Sequence, residues 1–297
     1  MTETVRITTL VENTSNHPPL LAEHGLAFWI EYGSHNILFD SGASHIIQAN
    51  AAVLGIDLTQ TQAIVLSHGH YDHTGGLMRI LDQAPHASVY LHPDALQPRF
   101  SCHNDKPPRP VGMPNLTAMH LRQNMNNHQL HWTTQPQQVC PGLWVTGPVP
   151  RVTDFEDTGG PFFLDAARNQ PDPLLDDQAL FFESTQGLVV LLGCAHAGVV
   201  NTLDYIKNLT GHKHCFTIVG GMHLGAASPQ RIHNTIEAMR AYQPARIGPA
   251  HCTGTHATAQ LWNAFPDQSF TCSTGTTIEL AALPAHTDAT PKTQKQT

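Results

Sequence analysis

Charged side chains are scarce in this 297-residue sequence, where Asp, Glu, Lys and Arg together make up only 13%. That is about half the usual share of roughly 25%. Lys and Arg number 15 against 23 acidic residues, and the formal net charge is −8. Nucleic acids and anionic membrane surfaces attract clustered basic residues, so neither is expected as a partner. We expect a small-molecule partner, and the sequence leaves the oligomeric state open.

Long apolar runs are also missing. The sequence contains no stretch of about 18 consecutive apolar residues, the length that predicts a membrane-spanning helix. Its start, MTETVRITTLVENTS, lacks the basic residues and apolar core of a secretory signal peptide. We therefore expect a cytoplasmic location.

Paired cysteines are the third absence. The six cysteines form no CxxC motif, which argues against a zinc ribbon or a thioredoxin-type site. Reduced thiols are expected in a cytoplasmic protein. Cys194 and Cys252 lie next to candidate histidines in the sequence, and we interpret both as small buried apolar residues beside a site.

Histidine, in contrast, is abundant, with 21 residues in the chain. The segment LSHGHYDHTGGL at 66–77 places His68, His70, Asp72 and His73 within six positions. A polar surface loop is one interpretation, but imidazole and carboxylate are also the natural ligands of zinc, iron and manganese. Where the chain is extended, alternation would direct His68 and His70 the same way, so that they share one metal while Asp72 and His73 reach another.

Apolar runs bounded by turn residues predict buried strands along the chain. These runs lie at 5–11, 26–32, 36–42, 62–70, 186–198, 214–225, 244–254 and 275–280. Helical patterns lie at 74–84, 198–211, 228–242 and 255–265. Thr74 is the predicted N-cap of the first helix, and Ser228 caps the third with Pro229 at its first position.

Candidate ligands recur where predicted strands end. Asp40, His196 and His251 each follow an apolar run, and His223 lies near the end of another. Strand ends on one edge of a sheet converge, so we expect these residues to meet the histidine cluster. Asp40 is either a turn or N-cap aspartate, or a carboxylate that orients a ligand histidine. Other histidines are interpreted as scattered surface residues, namely His17, His24, His35, His86, His103, His120, His128 and His131.

Residues 85–180 are rich in proline and only weakly periodic, with short strands predicted in ASVYLH and GLWVTG. Because a long structureless loop is unusual in a compact domain unless it is functional, we predict an inserted cap region over the metal edge, within a single domain at 1–282. A separate subdomain is the alternative. Residues 283–297 are predicted to be a disordered tail.

The motif HGHYDH, the upstream LFDSG and the later histidines at strand ends resemble the metallo-β-lactamase superfamily. More narrowly, EHGLAFWIE, GCAHAGVVNT, GGMHL and PAHCTG resemble the branch labelled dihydropterin/ribofuranosylaminobenzene-phosphate synthase. The resemblance implies an α/β fold, an αββα sandwich of two mixed β-sheets flanked by helices, with a metal site at one edge.

The resemblance also implies two sets of metal ligands. The first ligand set is His68, His70 and His196. The second ligand set is Asp72, His73 and His251. Zn²⁺ is the expected cofactor, in one or two copies, with manganese and iron as alternatives.

One feature departs from the superfamily pattern. The superfamily usually has a bridging aspartate after the strand that here reads FTIVGG, whereas this chain continues with Gly220, Gly221, Met222 and His223. The second metal is therefore expected to be held more weakly or by other groups. His223 is predicted to lie close to the metals, as a substitute ligand, as a donor to an anionic substrate group, or as a packing residue.

The expected function is hydrolysis of an ester, thioester, lactone or phosphodiester by a metal-activated water, with Asp72 orienting that water or taking its proton. The substrate is expected to be anionic. One alternative on the same site is transfer of a dihydropterin from its diphosphate to an arylamine, with loss of pyrophosphate. Another is a non-catalytic metal-binding sensor.

Overall fold

The computed structural model describes residues 3–15, 17–123, 129–212 and 214–283. The N-terminal part contains β1 (Glu3–Val11), β2 (Ala27–Tyr32), β3 (His35–Phe39), α1 (Ile46–Leu54), β4 (Ala63–Val65), α2 (Tyr71–Thr74), α3 (Leu77–Gln83), β5 (Ser88–Leu91), β6 (Phe100–Ser101), β7 (Arg109–Pro110), α4 (Asn115–Gln123) and β8 (Leu130–Trp132). The C-terminal part contains β9 (Gln137–Cys140), β10 (Leu143–Val145), β11 (Phe162–Phe163), β12 (Ala179–Ser184), β13 (Gly187–Leu192), α5 (Val199–Thr210), β14 (Cys215–Gly221), α6 (Pro229–Arg240), β15 (Arg246–Ala250), α7 (Thr255–Ala264) and β16 (Thr277–Ala282).

The strands form two mixed sheets. The first runs in the order β16-β1-β2-β3-β4-β5-β8, and the second runs β9-β10-β12-β13-β14-β15. Within the described ranges, the two sheets are joined through the pairing of Ser184 with Ala282. Each sheet has antiparallel and parallel pairs, with β13, β14 and β15 parallel to one another.

Three hydrophobic cores define the layers. One core lies between the sheets, a second lies under α5, α6 and α7, and a third lies under α1, α3 and α4. The sequence of strand β12 is almost continuously apolar because both of its faces are buried. Leu180 and Phe182 lie in the core between the sheets, whereas Ala179 and Phe181 face the helices. Successive side chains alternate between two buried faces. This layering confirms the predicted αββα sandwich.

The helix starts test the predicted caps. Ser228 accepts a hydrogen bond from the Arg231 N–H at the start of α6, as predicted. The Thr74 prediction is wrong, because this residue ends α2 and its hydroxyl donates to the carbonyl of His70. The predicted helix begins only at Leu77, after two glycines. A Cβ on Gly75 would lie 2.2 Å from the backbone oxygen of Ala43, so the two backbones are in close contact and leave no room for a side chain.

The proline-rich segment contributes to both sheets. Its predicted short strands are present as β5 and β10, and β5 pairs in parallel with β4. Strands β6, β7 and β11 form a small separate sheet. The domain boundary at 85–180 stays a prediction. Of the predicted tail at 283–297, residues 284–297 lie outside the described residues, as does His128.

Within the described ranges, no helix has both the length and the apolar character that crossing a membrane requires.

Candidate metal centre

The centre forms where loops leave the carboxyl ends of several strands. The histidine cluster follows β4, His196 follows β13, and His251 follows β15. The predicted strand at 62–70 ends at Val65, so residues 66–69 belong to the loop rather than to an extended strand. The histidines therefore converge through the loop's own path and not through strand alternation.

The first ligand set is brought together in the buried interior. The Nε2 atom of His68 lies 3.0 Å from Nδ1 of His70. The ring of His196 lies 4.7 Å from that of His68 and 4.9 Å from that of His70, measured between centroids.

The second ligand set converges in the same way. The Nε2 atoms of His73 and His251 are 3.2 Å apart, and Oδ2 of Asp72 lies 3.3 Å from His251 Nε2 and 4.0 Å from His73 Nε2. Bond lengths of about 2.0 to 2.3 Å in a tetrahedral zinc site place ligand atoms roughly 3.3 to 3.8 Å apart. Two of the observed separations, 3.2 and 3.3 Å, lie at the lower end of this range and the third, 4.0 Å, lies slightly above it, so small side-chain shifts would let the three residues share a cation.

Asp40 accepts hydrogen bonds from residues of the histidine cluster. Its carboxylate accepts hydrogen bonds from the Ser67 backbone N–H at 2.6 Å, the Ser67 hydroxyl at 2.7 Å and the Nδ1–H of His73 at 2.6 Å. The same hydroxyl lies 2.9 Å from Nδ1 of His68. Asp40 thus occupies the position that the orienting interpretation requires, since these bonds turn both Nε2 atoms toward the cluster.

Two further histidines are oriented by outer partners. Nδ1 of His196 donates to the carbonyl of Thr158 at 2.8 Å, and Nδ1 of His251 donates to Oδ1 of Asn13 at 2.9 Å. The opposite nitrogen of His196 is fully buried and has no hydrogen-bond partner among the described residues. A buried, unpartnered imidazole nitrogen directed into a cluster of ligands fits a metal ion.

Burial and charge set the protonation of these rings. Burial and neighbouring histidines hold the pKa values of His68 and His196 well below the ordinary value. Burial lowers the pKa of His70 to about 3. Burial also opposes charge on His73, but the Asp40 carboxylate outweighs it and raises the pKa of His73 to about 9. Three of the four rings are therefore neutral, the form that binds a cation, and His73 would release a proton on binding one.

Comparisons with known proteins place this geometry in a family. Residues 21–205 match the sequence model of the metallo-beta-lactamase superfamily. The chain belongs to this superfamily. It is 28% identical over 278 residues, covering 89% of this chain and 93% of its relative, to the 7,8-dihydropterin-6-methyl-4-(beta-D-ribofuranosyl)-aminobenzene-5'-phosphate synthase of Methanocaldococcus jannaschii.

Solved structures agree with the fold. Tm1679, described as a metal-dependent hydrolase of the beta-lactamase superfamily, superposes with a TM-score of 0.77 at 26% identity, over 93% of this chain and 99% of that one. The Zn²⁺-bound PqqB of Methylobacterium extorquens superposes with a TM-score of 0.56 at 13% identity, over 92% of this chain and 99% of that one, and shows likeness of fold alone.

The interpretation of His24 as a scattered surface residue is incomplete. Its Nε2 lies 3.1 Å from Oδ2 of Asp72, although the His24 side chain is 58% exposed. Its ring lies 4.9 Å from that of His251. Glu12 was also missed: it accepts the backbone N–H of His251 at 2.7 Å. Neither residue lies near the histidine motif in the sequence, so no local pattern marked it.

Two adjacent acids of the proline-rich segment, Asp176 and Asp177, accept backbone N–H groups from the loops that carry the ligand histidines. Both were missed by the sequence analysis. Asp176 accepts the backbone N–H of Gly69 at 2.7 Å and forms a bidentate pair with Arg99. Asp177 accepts the backbone N–H of Ala197 at 2.8 Å. The first bond fixes the backbone between His68 and His70. The second fixes the residue that follows His196. The available signal was a pair of acids one residue before an apolar strand.

The interpretation of Cys194 and Cys252 as small apolar residues is incomplete. Cys194 is buried, and its Sγ lies 3.2 Å from Nε2 of His73. Cys252 is only partly buried, and its sulfur accepts the backbone N–H of His223 at 3.3 Å. Both sulfurs therefore belong to the polar centre.

His223 lies beside the first ligand set, and its closeness to the metals stays a prediction. Its ring centroid is 4.2 Å from that of His196, and its Nδ1 is buried without a hydrogen-bond partner among the described residues. The backbone of Gly159 packs against this ring so closely that a Cβ there would overlap it. Neighbouring Phe162 lies 5.0 Å from the ring of His70 and 5.4 Å from that of His196. The segment that contains Gly159 and Phe162 therefore contacts the centre directly.

Backbone strain is concentrated at the centre. Of the seven non-glycine residues with positive φ in the described ranges, four are Asp40, Ala195, His223 and His251, with φ of 61°, 53°, 45° and 51°. Such conformations are costly and persist where the surrounding structure enforces them, often at functional sites.

Proposed function

We propose that this protein is a metal-dependent hydrolase that holds two divalent cations, with zinc favoured, between the first and second ligand sets. The observation that supports it most strongly is the orientation of four histidines. His68, His73, His196 and His251 each engage Nδ1 with an outer partner, so that Nε2 is left facing the cluster. A mere polar loop gives no reason for four rings to share this arrangement.

The donor set fits the group. Imidazole and carboxylate are zinc ligands, and neutral imidazole also suits iron. When bound, divalent cations of this kind supply Lewis acidity and lower the pKa of a water molecule from about 15.7 to near 7.

Asp72 is the candidate catalytic residue. Burial opposes its charge, but hydrogen bonds from His24 and His251 hold the pKa of Asp72 well below the ordinary value. The carboxylate therefore stays ionised at neutral pH and can orient a nucleophilic water or accept its proton. His24 is positioned to share that proton, since its Nε2 contacts the same oxygen of Asp72.

The substrate side of the centre is formed by Phe162 and His223. Phe162 offers an aromatic face next to the first ligand set, and the unpartnered nitrogen of His223 can donate to an anionic group. These features support a small anionic ester, thioester, lactone or phosphodiester as the substrate.

A second candidate is the transferase reaction in which a dihydropterin is transferred from its diphosphate to a carbon of an arylamine: the bond to the diphosphate breaks, the bond to the arylamine carbon forms, and pyrophosphate is released. It is favoured by the 28% identity, over 89% of this chain, to a relative named as a dihydropterin-linked aminobenzene-phosphate synthase. The same ligands would hold cations against the anionic leaving group, and Phe162 would stack on the pterin or the arylamine.

The test combines metal analysis with substrate panels. His68→Ala should remove most of the bound metal, whereas His256→Ala, on the exposed face of α7, should leave it in place. Metal content unchanged in His68→Ala would refute the ligand assignment. Turnover of one of the four substrate classes supports the hydrolase. Pyrophosphate release that depends on both pterin and arylamine identifies the transferase, and bound metal with neither activity favours a sensor.

A further inference from the structure

The superfamily resemblance leads us to expect a bridging acid at the end of strand β14, but residues 220–223 contain none. Strand β14 ends at Gly220 and Gly221. A Cβ built on Gly221 would lie 2.4 Å from the carbonyl oxygen of Gly193 and 2.6 Å from Sγ of Cys252. Met222 is buried in the core under the helices, and His223 falls in a group with Cys194 and Cys252 rather than with either ligand set. A side chain that reaches both ligand sets therefore comes from another element.

Cys194 is in that position. Its Sγ lies 3.2 Å from Nε2 of His73. Two groups of ligand atoms contain this sulfur, and within each group all the atoms lie within 4.8 Å of one another. The first group adds atoms of His68 and His196, and the second adds atoms of His73 and His251. A single sulfur is thus within reach of both ligand sets.

We propose that Cys194 binds as a thiolate shared between the two metal positions, in place of the bridging carboxylate. This inference rests on the proposed metal centre. The thiolate carries one negative charge, as a carboxylate does, so the charge balance is kept. The softer sulfur favours zinc or iron over manganese or magnesium.

Binding requires only that the thiol lose its proton. The sulfur–hydrogen bond breaks, the proton passes to the buffer, and the sulfur electrons are donated to the cations. No oxidation or reduction takes place.

The competing explanation is a buried thiol whose sulfur accepts a hydrogen bond from Nε2–H of His73. That explanation accounts for one of the two groups that contain Cys194, and it gives no reason for the same sulfur to lie with ligand atoms of His68 and His196. Cys252 is the other candidate sulfur. In the described chain it falls in a group with Cys194 and His223 rather than with either ligand set, so the geometry favours Cys194.

The experiment uses the full chain loaded with Co²⁺, because a cobalt–thiolate bond produces an intense near-ultraviolet charge-transfer band that imidazole and carboxylate ligands do not. We expect the band in the wild-type protein and its loss in Cys194→Ser. Cobalt affinity should fall by more than the roughly 10- to 100-fold that loss of an outer partner costs. Cys215→Ser changes a buried cysteine at the opposite end of β14 and should keep the band.

Two further variants keep the result interpretable. Cys194→Asp should restore cobalt binding without the band, which distinguishes a lost ligand from a misfolded protein, and circular dichroism checks the fold of each variant. Cobalt bound to the wild type without the band, or a band that persists in Cys194→Ser, would overturn the proposal. A band lost only in Cys252→Ser would assign the sulfur to Cys252 and overturn it as well. A wild-type protein that binds no metal would instead overturn the proposed function.

Discussion

Removing the carboxylate of Asp176 should destabilise the protein strongly, because it leaves a buried arginine without its main partner. Arg99 is only 1% exposed, and its guanidinium donates to both oxygens of Asp176, at 2.7 and 2.6 Å. Breaking a buried ion pair from one side costs about 3 to 5 kcal/mol. Asp172 remains 2.8 Å from Nε of Arg99, so we expect Asp176→Ala to lower the free energy of unfolding by about 3 kcal/mol, the lower end of that range.

Urea unfolding of the metal-free protein measures this change. A total stability of roughly 5 to 15 kcal/mol leaves the variant folded. Glu279→Ala is the matched control, because Glu279 pairs with Arg6 on the surface, where the two side chains are 65% and 51% exposed. Such a pair contributes only about 0 to 1 kcal/mol. If Asp176→Ala costs no more than Glu279→Ala, the argument from burial is refuted.

Asp176→Asn separates stability from metal binding. The amide loses the charge but keeps an oxygen that can accept the Gly69 N–H, which Asp176 accepts at 2.7 Å in the wild type. Both variants should have a lower free energy of unfolding. Only Asp176→Ala should also bind metal more weakly, because the Gly69 N–H between His68 and His70 then loses its hydrogen-bond acceptor. Equal metal affinity in the two variants would show that the Gly69 bond does not position the ligands.

Three other outcomes are expected. Asp40→Asn should lower the pKa of His73, which is about 9 in the metal-free protein, because the carboxylate is its main stabilising charge; NMR titration of the imidazole measures it, and an unchanged pKa contradicts this. Burial raises the pKa of Asp177 to about 7. At Asp177 the folded state therefore retains a proton that the unfolded state loses between about pH 4 and 7, so the contribution of this group to stability falls as pH rises through that window, by at most about 1.4 kcal/mol per unit. The lowered pKa values of His68, His70 and His196 act in the opposite sense below about pH 6.5, so the informative quantity is the difference between variant and wild type. In urea melts from about pH 5 to 7, the stability of Asp177→Asn relative to wild type should rise with pH, and a difference that does not change with pH would contradict the assignment. His24→Ala should raise the pKa of Asp72 by removing a hydrogen bond from its carboxylate, which a shift of the acidic limb of the pH–rate profile would show and an unshifted limb would disprove.

Much of the fold could be predicted because its signals are local. Strand β13 and the first four residues of strand β12 are continuously apolar because both faces are buried. Ser228 with Pro229 marks a helix start within two positions. Boundaries were harder: the apolar run that begins β4 continues past its last paired residue, Val65, because the next residues are buried in a loop rather than in a strand.

The histidine motif by itself identified a candidate metal centre, since His68, His70, Asp72 and His73 are neighbours in the sequence and their chemistry is shared. Only the tertiary structure decided what surrounds them. The partners of Gly69, Arg99 and His73 lie 107, 77 and 121 positions away, in Asp176 for the first two and in Cys194 for the third. Periodicity reports how one segment is buried, whereas sheet pairing decides which distant segments meet. For that reason the ligand motif could be recognised from the sequence, and the bracing acids and the sulfur between the two ligand sets could not.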